Sequence, residues 1–120
     1  MYNYSDLIVW QKSMDLVESL YKLTSSFPET EKFGLTSQIR RCAVSIPSNI
    51  AEGSGRKSKK AFRSFLEIAN GSINVLKTQI EISKRIGILK DDDLQNIFKL
   101  CNEIQKMTFS LIKNIVTINL

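Results

Sequence analysis

Five cations fall between residues 56 and 63: Arg56, Lys57, Lys59, Lys60 and Arg63. Arg40 and Arg41 lie upstream. Residues 34–60 hold Arg40, Arg41, Arg56, Lys57, Lys59 and Lys60 against Glu52 alone. The rest of the chain balances, so this stretch accounts for the whole net charge of +5. Ser58 is a natural N-cap, which puts Lys59 and Lys60 in the first turn of a helix. Cations there oppose the helix dipole, at about 0.3–1 kcal/mol each. The free N–H groups of that turn point the same way, and together they form a site for phosphate or carboxylate. The alternative is a solvated, mobile basic loop, since lysine-rich surface turns are common. GSGRKS is not a P-loop: the spacing between its glycines and lysine is wrong, and no strand precedes it. A nucleic acid held here is bound mainly through its phosphates, with Arg40 and Arg41 assisting, and with little sequence preference.

A second constellation is polar. Gln38, Arg41, Ser45, Asn49 and Glu52 recur at steps of three and four, so they share one flank of a helix. One reading is a ligand or catalytic pocket around Glu52. The other is a hydrogen-bonded network that fixes helix register. A single carboxylate with no second acid and no plausible nucleophile beside it is a poor active site. The chain has no histidine, which removes His-based triads, metal sites and pH switches. Cys42 and Cys101 are far apart, outside any CxxC pattern, and read as small core residues of a reducing cytoplasm. The residues therefore favour a register-fixing network over an active site at Glu52, and predict no metal or cofactor.

Four amphipathic segments must position these groups. The first spans about 5–25, with Ser5 or Asp6 as cap and Leu7, Trp10, Met14, Val17 and Tyr21 as its inward face. SSFPETEKFG then breaks the pattern, leaving Phe27 and Phe33 to plug the bundle end. The second spans about 35–52 through Leu35, Ile39, Cys42, Ile46, Ile50 and Gly53. Pro47 lies inside it, removes the hydrogen bond to the Ala43 carbonyl and predicts a kink. The third runs from the Ser58 cap to Ile86 along Phe62, Phe65, Ala69, Ile73, Leu76, Ile80 and Ser83. Gly71 in its middle predicts close helix packing, because it otherwise costs up to ~1 kcal/mol. Gly87 suits the C′ position. The fourth starts near Asp91, with three aspartates favoured by the dipole, and runs to about 118 along Leu94, Ile97, Cys101, Ile104, Thr108, Leu111 and Ile115. Short connections make neighbours antiparallel. The 120 residues thus predict one all-α domain: an up-down-up-down, left-handed four-helix bundle. No apolar run reaches membrane-spanning length and no signal peptide is present, so a cytoplasmic protein is expected.

One bundle does not use all the apolar residues. Val9, Leu16, Leu20 and Leu23 form a second stripe on the first helix. Val44, Pro47 and Ala51 lie opposite Ile46 on the second helix. Ile68, Val75 and Ile82 repeat every seven residues on the third. Scattered surface apolars are normal, but ordered stripes predict a subunit contact through Val9, Leu16, Leu20, Leu23, Val44, Ile68, Val75 and Ile82.

The segment QIRRCAVSIPSNIAEGSGRKS, residues 38–58, closely resembles the signature of the four helix bundle protein family, also called 23S rRNA-intervening sequence proteins. LIVWQKSMDLV, FPETEKFGLTSQ and FRSFLEIANGS extend the resemblance over about residues 7–89. Gln38, Arg40, Arg41, Ser45, Asn49, Glu52, Gly53, Arg56, Gly71 and Ser72 match it position by position. The resemblance implies a bacterial, non-enzymatic homopentamer with a role near ribosomal RNA or other nucleic acid. Val75 stands where the family tends to place a glutamate, and Lys77 replaces a frequent acid, which implies a missing acid–base contact on the third helix. The accessory proteins of diversity-generating retroelements are similar bundles that serve a reverse transcriptase. They offer the alternative of a protein-interaction scaffold.

Overall fold

The computed structural model describes residues 2–118, and side chains as far as 115. Helices α1 (Ile8–Thr24), α2 (Leu35–Ser54), α3 (Lys59–Arg85) and α4 (Asp91–Ile118) follow one another, with short 3₁₀ turns at Tyr4–Asp6 and Glu29–Glu31. α1 packs on α2 and α4, and α3 on the same two helices. The result is an all-α, up-down-up-down four-helix bundle measuring 49 × 22 × 20 Å. α2 passes through Pro47, which is buried, as one continuous helix.

α1 corrects the sequence reading. The expected cap residues lie instead in the preceding 3₁₀ turn, where the Asn3 side chain accepts from the Ser5 amide at 3.1 Å. The buried face of α1 is Val9, Ser13, Leu16, Leu20 and Thr24; Trp10, Met14 and Val17 are only half-buried, and Tyr21 is exposed. At 100° per residue, the axis of this face falls on Leu20 in the second apolar stripe, and Ser13 and Thr24 extend the face towards the first. Both hydroxyls donate to carbonyls of their own helix, Ser13 to Trp10 at 2.8 Å and Thr24 to Leu20 at 2.7 Å. A back-bonded hydroxyl is small and already satisfied, so it enters a core despite its polarity. Ser54, Ser83 and Thr108 do the same.

The α2–α3 contact is the tightest. A Cβ on Gly53 would lie 2.7 Å from the Phe65 Cβ and 3.0 Å from the Phe62 Cδ1. Farther along, the Cys42 thiol donates to the Ser72 carbonyl at 3.0 Å. Gly71 behaves otherwise. It is exposed and a Cβ there would meet nothing within 4 Å, so packing inside one chain does not explain it. α3 also buries Leu66 and Asn70, beyond the residues predicted, while Phe65 is half-buried. α3 ends at Gly87, φ 87°. There the Gly87 amide donates to Lys84 and the Ile88 amide to Ser83, both at 3.0 Å, closing a Schellman motif. The plug expected of two phenylalanines is made by Phe27 alone; Phe33 is 90% exposed.

Candidate nucleic-acid interface

The end of the bundle where α2 meets α3 is built around Gly53. Its missing side chain lets the backbone settle on Phe62 and Phe65 before the chain turns. The Ser58 hydroxyl accepts from the Ala61 amide at 3.2 Å and starts α3. The N-terminal segment closes over this turn. The Tyr2 amide donates to the Ser54 carbonyl at 3.2 Å, and its ring lies 5.4 Å from that of Phe62.

The seven predicted cations do not form one site. Arg56 pairs with Glu52 at 2.5 Å and lies over the Phe65 ring at 5.1 Å. Arg63 pairs with Glu67 at 3.9 Å. Lys57, Lys59 and Lys60 have no ion pair among the described residues. Arg40 and Arg41 are near the other end of α2, about 22 Å away at 1.5 Å per residue. Arg40 is a clamp on α1: it donates to Thr24 Oγ1 at 2.9 Å and to the Tyr21 carbonyl at 3.2 Å, and covers the Tyr21 ring at 4.5 Å. The basic loop is thus three unpaired lysines flanked by two paired arginines. Tyr2 and Tyr4, both exposed, stand at this end too. Periodicity did not single them out because they precede the first helix.

The family model for the 23S rRNA-intervening sequence protein matches residues 5–110. The chain belongs to that family. A crystal structure of a protein of unknown function from the S23 ribosomal protein family of Bacteroides thetaiotaomicron is similar to it. That structure aligns with a TM-score of 0.82 and 27% identity, over 88% of this chain and 96% of the other. No curated protein matches the chain.

In this member of the family, the predicted polar network is not a network within one chain. Ser45 donates to the Cys42 carbonyl and Asn49 to the Ser45 carbonyl, both inside α2. Glu52 is taken by Arg56, and Gln38 and Arg41 are exposed. Short side chains on a helix reach their own backbone before they reach each other. Lys77 has no carboxylate partner among the described residues and instead donates to the side-chain amides of Asn102 and Gln105 on α4. Burial pushes both thiols up, Cys101 to about 12, so neither is a nucleophile near neutral pH. No group of three or more metal-ligating side chains occurs among the described residues. No helix there is long and apolar enough to cross a membrane.

The predicted subunit contact divides as well. Val9, Leu16 and Leu20 belong to the core, and Leu23 packs against it, because the second stripe is the buried face of α1. Val44, Ile68, Val75 and Ile82 are 41–52% exposed. On α3, Gly71 and Thr78 alternate with the three apolar residues, giving an exposed heptad seam.

Proposed function

We propose that this protein is a non-enzymatic, self-associating nucleic-acid-binding module, and that the α2–α3 end holds phosphates. The reading rests on Lys57, Lys59 and Lys60, which crowd a helix start that disfavours them and have no anionic partner among the described residues. A backbone phosphate supplies the missing charge to both the lysines and the free amides of that turn. Affinity should therefore fall steeply with salt. The double substitution Lys59→Glu with Lys60→Glu should flatten the slope of log affinity against log salt by about 0.9 for each phosphate that is no longer neutralised. Unchanged slope, or no binding at low salt, would overturn the proposal.

Self-association is supported by the exposed seam Ile68, Gly71, Val75, Thr78 and Ile82. A mid-helix glycine costs up to ~1 kcal/mol against alanine, and here a second copy is what would use the space. Gly71→Ala separates the two cases. In a monomer it raises the melting temperature; at a subunit contact it lowers the assembly mass measured by light scattering. The same apolar seam supports the second reading, a scaffold for a protein partner. That reading predicts a partner retained after nuclease treatment.

A further inference from the structure

Phe33 is 90% exposed, the largest departure from apolar burial in the described chain. It borders an open groove of about 620 Å3 between the end of α1 and the start of α2. Tyr21, Lys32, Arg40 and Arg41 share that groove. Its cations are not equivalent. Arg40 is locked against Thr24 and Tyr21, and Lys32 sits 5.7 Å above the Phe33 ring and 3.8 Å from Glu29. Glu31 turns inward and accepts from the Leu35 amide at 3.1 Å. Arg41 is exposed with no ion pair among the described residues. An exposed aromatic ring with an unpaired arginine beside it is the arrangement that stacks a base and holds its phosphate.

We infer that this groove takes an unpaired base of a single-stranded nucleic acid, with Phe33 stacking on it and Arg41 holding the adjoining backbone. The inference rests on the nucleic-acid reading above and narrows its substrate class. A duplex presents no open base face to Phe33, whereas a single strand does. Gln38, Arg41, Val44, Ser48 and Glu52 are exposed at steps of three and four along α2, a track from the groove towards the basic loop. A strand following that track meets both ends.

Fluorescence anisotropy with a labelled single strand and a duplex of the same sequence tests this. Phe33→Ala should weaken the single strand roughly 5- to 100-fold and leave the duplex unchanged. Phe33→Trp should restore strand affinity, with indole emission quenched on binding. Lys59→Glu with Lys60→Glu should weaken both probes. If Phe33→Ala leaves the strand bound as before, or weakens both probes equally, the groove reading falls while the loop reading stands. If Phe33→Ala lowers the mass of the assembly, Phe33 is a contact between copies and the inference is wrong. If the unsubstituted protein binds neither probe at low salt, both readings fall. The high exposure of Phe33 keeps the variant folded, and an unchanged melting curve checks this.

Discussion

The two ends of α3 carry the same kind of residue in opposite circumstances. At the C-terminal end, Lys84 and Arg85 sit where the helix dipole favours cations, and each has a carboxylate. Lys84 meets Asp91 at 2.8 Å and Arg85 meets Glu81 at 3.5 Å. At the N-terminal end, Lys59 and Lys60 sit where the dipole repels them, and no described carboxylate pairs with either. One end is arranged for the stability of the folded chain alone. The other keeps charge that the fold itself does not use, which marks it as the place to look for a partner. A glycine marks each end for a different reason: Gly53 by lack of space, Gly87 by its positive φ.

The glycines give the largest test of that contrast. Gly53→Ala should destabilise by about 1–3 kcal/mol, because the new Cβ meets backbone-anchored atoms of Phe65 that cannot swing away. Gly87→Ala should cost about 1–2 kcal/mol, from left-handed backbone strain rather than overlap. Thermal unfolding of both variants measures the difference. If Gly53→Ala proves the milder, the α2–α3 contact has room to relax.

Capping comes next. Ser58→Ala removes an acceptor from a helix start already burdened with lysines, and should cost about 1 kcal/mol in chemical denaturation. Charge reversal is smaller and should change sign between the ends. Lys59→Glu and Lys60→Glu should each stabilise the folded chain by about 0.3–1 kcal/mol at low salt, while Lys84→Glu and Arg85→Glu should destabilise it by a similar amount. The same sign at both ends would dissolve the comparison.

The smallest effect is in pH dependence. The Lys84 ammonium holds the Asp91 carboxyl below its ordinary 3.8, mainly through their hydrogen bond. A depressed folded pKa contributes stability that is present above the unfolded value and lost as pH falls through the folded one. Acid titration of the melting temperature should therefore show a slightly steeper loss below pH 3.8 in the unsubstituted protein than in Asp91→Asn. The same pair raises the Lys84 pKa above 10.5. That contribution is present below 10.5 and is lost as pH rises through the folded value. Both groups are exposed, so salt should shrink the two effects together.

Much of this fold follows from the chain's own pattern. The cap at Ser58, the Schellman end at Gly87, the acidic start of α4 and the faces of α3 and α4 all depend on spacing within one helix. The dipole conflict at Lys59 and Lys60 is equally local. What tertiary structure alone decided lies between helices. Ser13 and Thr24 can enter the core because their hydroxyls turn back on α1, and they widen a buried face that already holds Val9, Leu16 and Leu20. Arg40 is committed to α1 and Arg41 is left free, although the two are adjacent in sequence, because 100° of helix rotation separates them. Phe27 is buried while Phe33, six residues on, is left 90% exposed. Periodicity names what each helix can bury. Only the packed neighbours decide which of those residues are covered, which charges find partners and which remain for something else to bind.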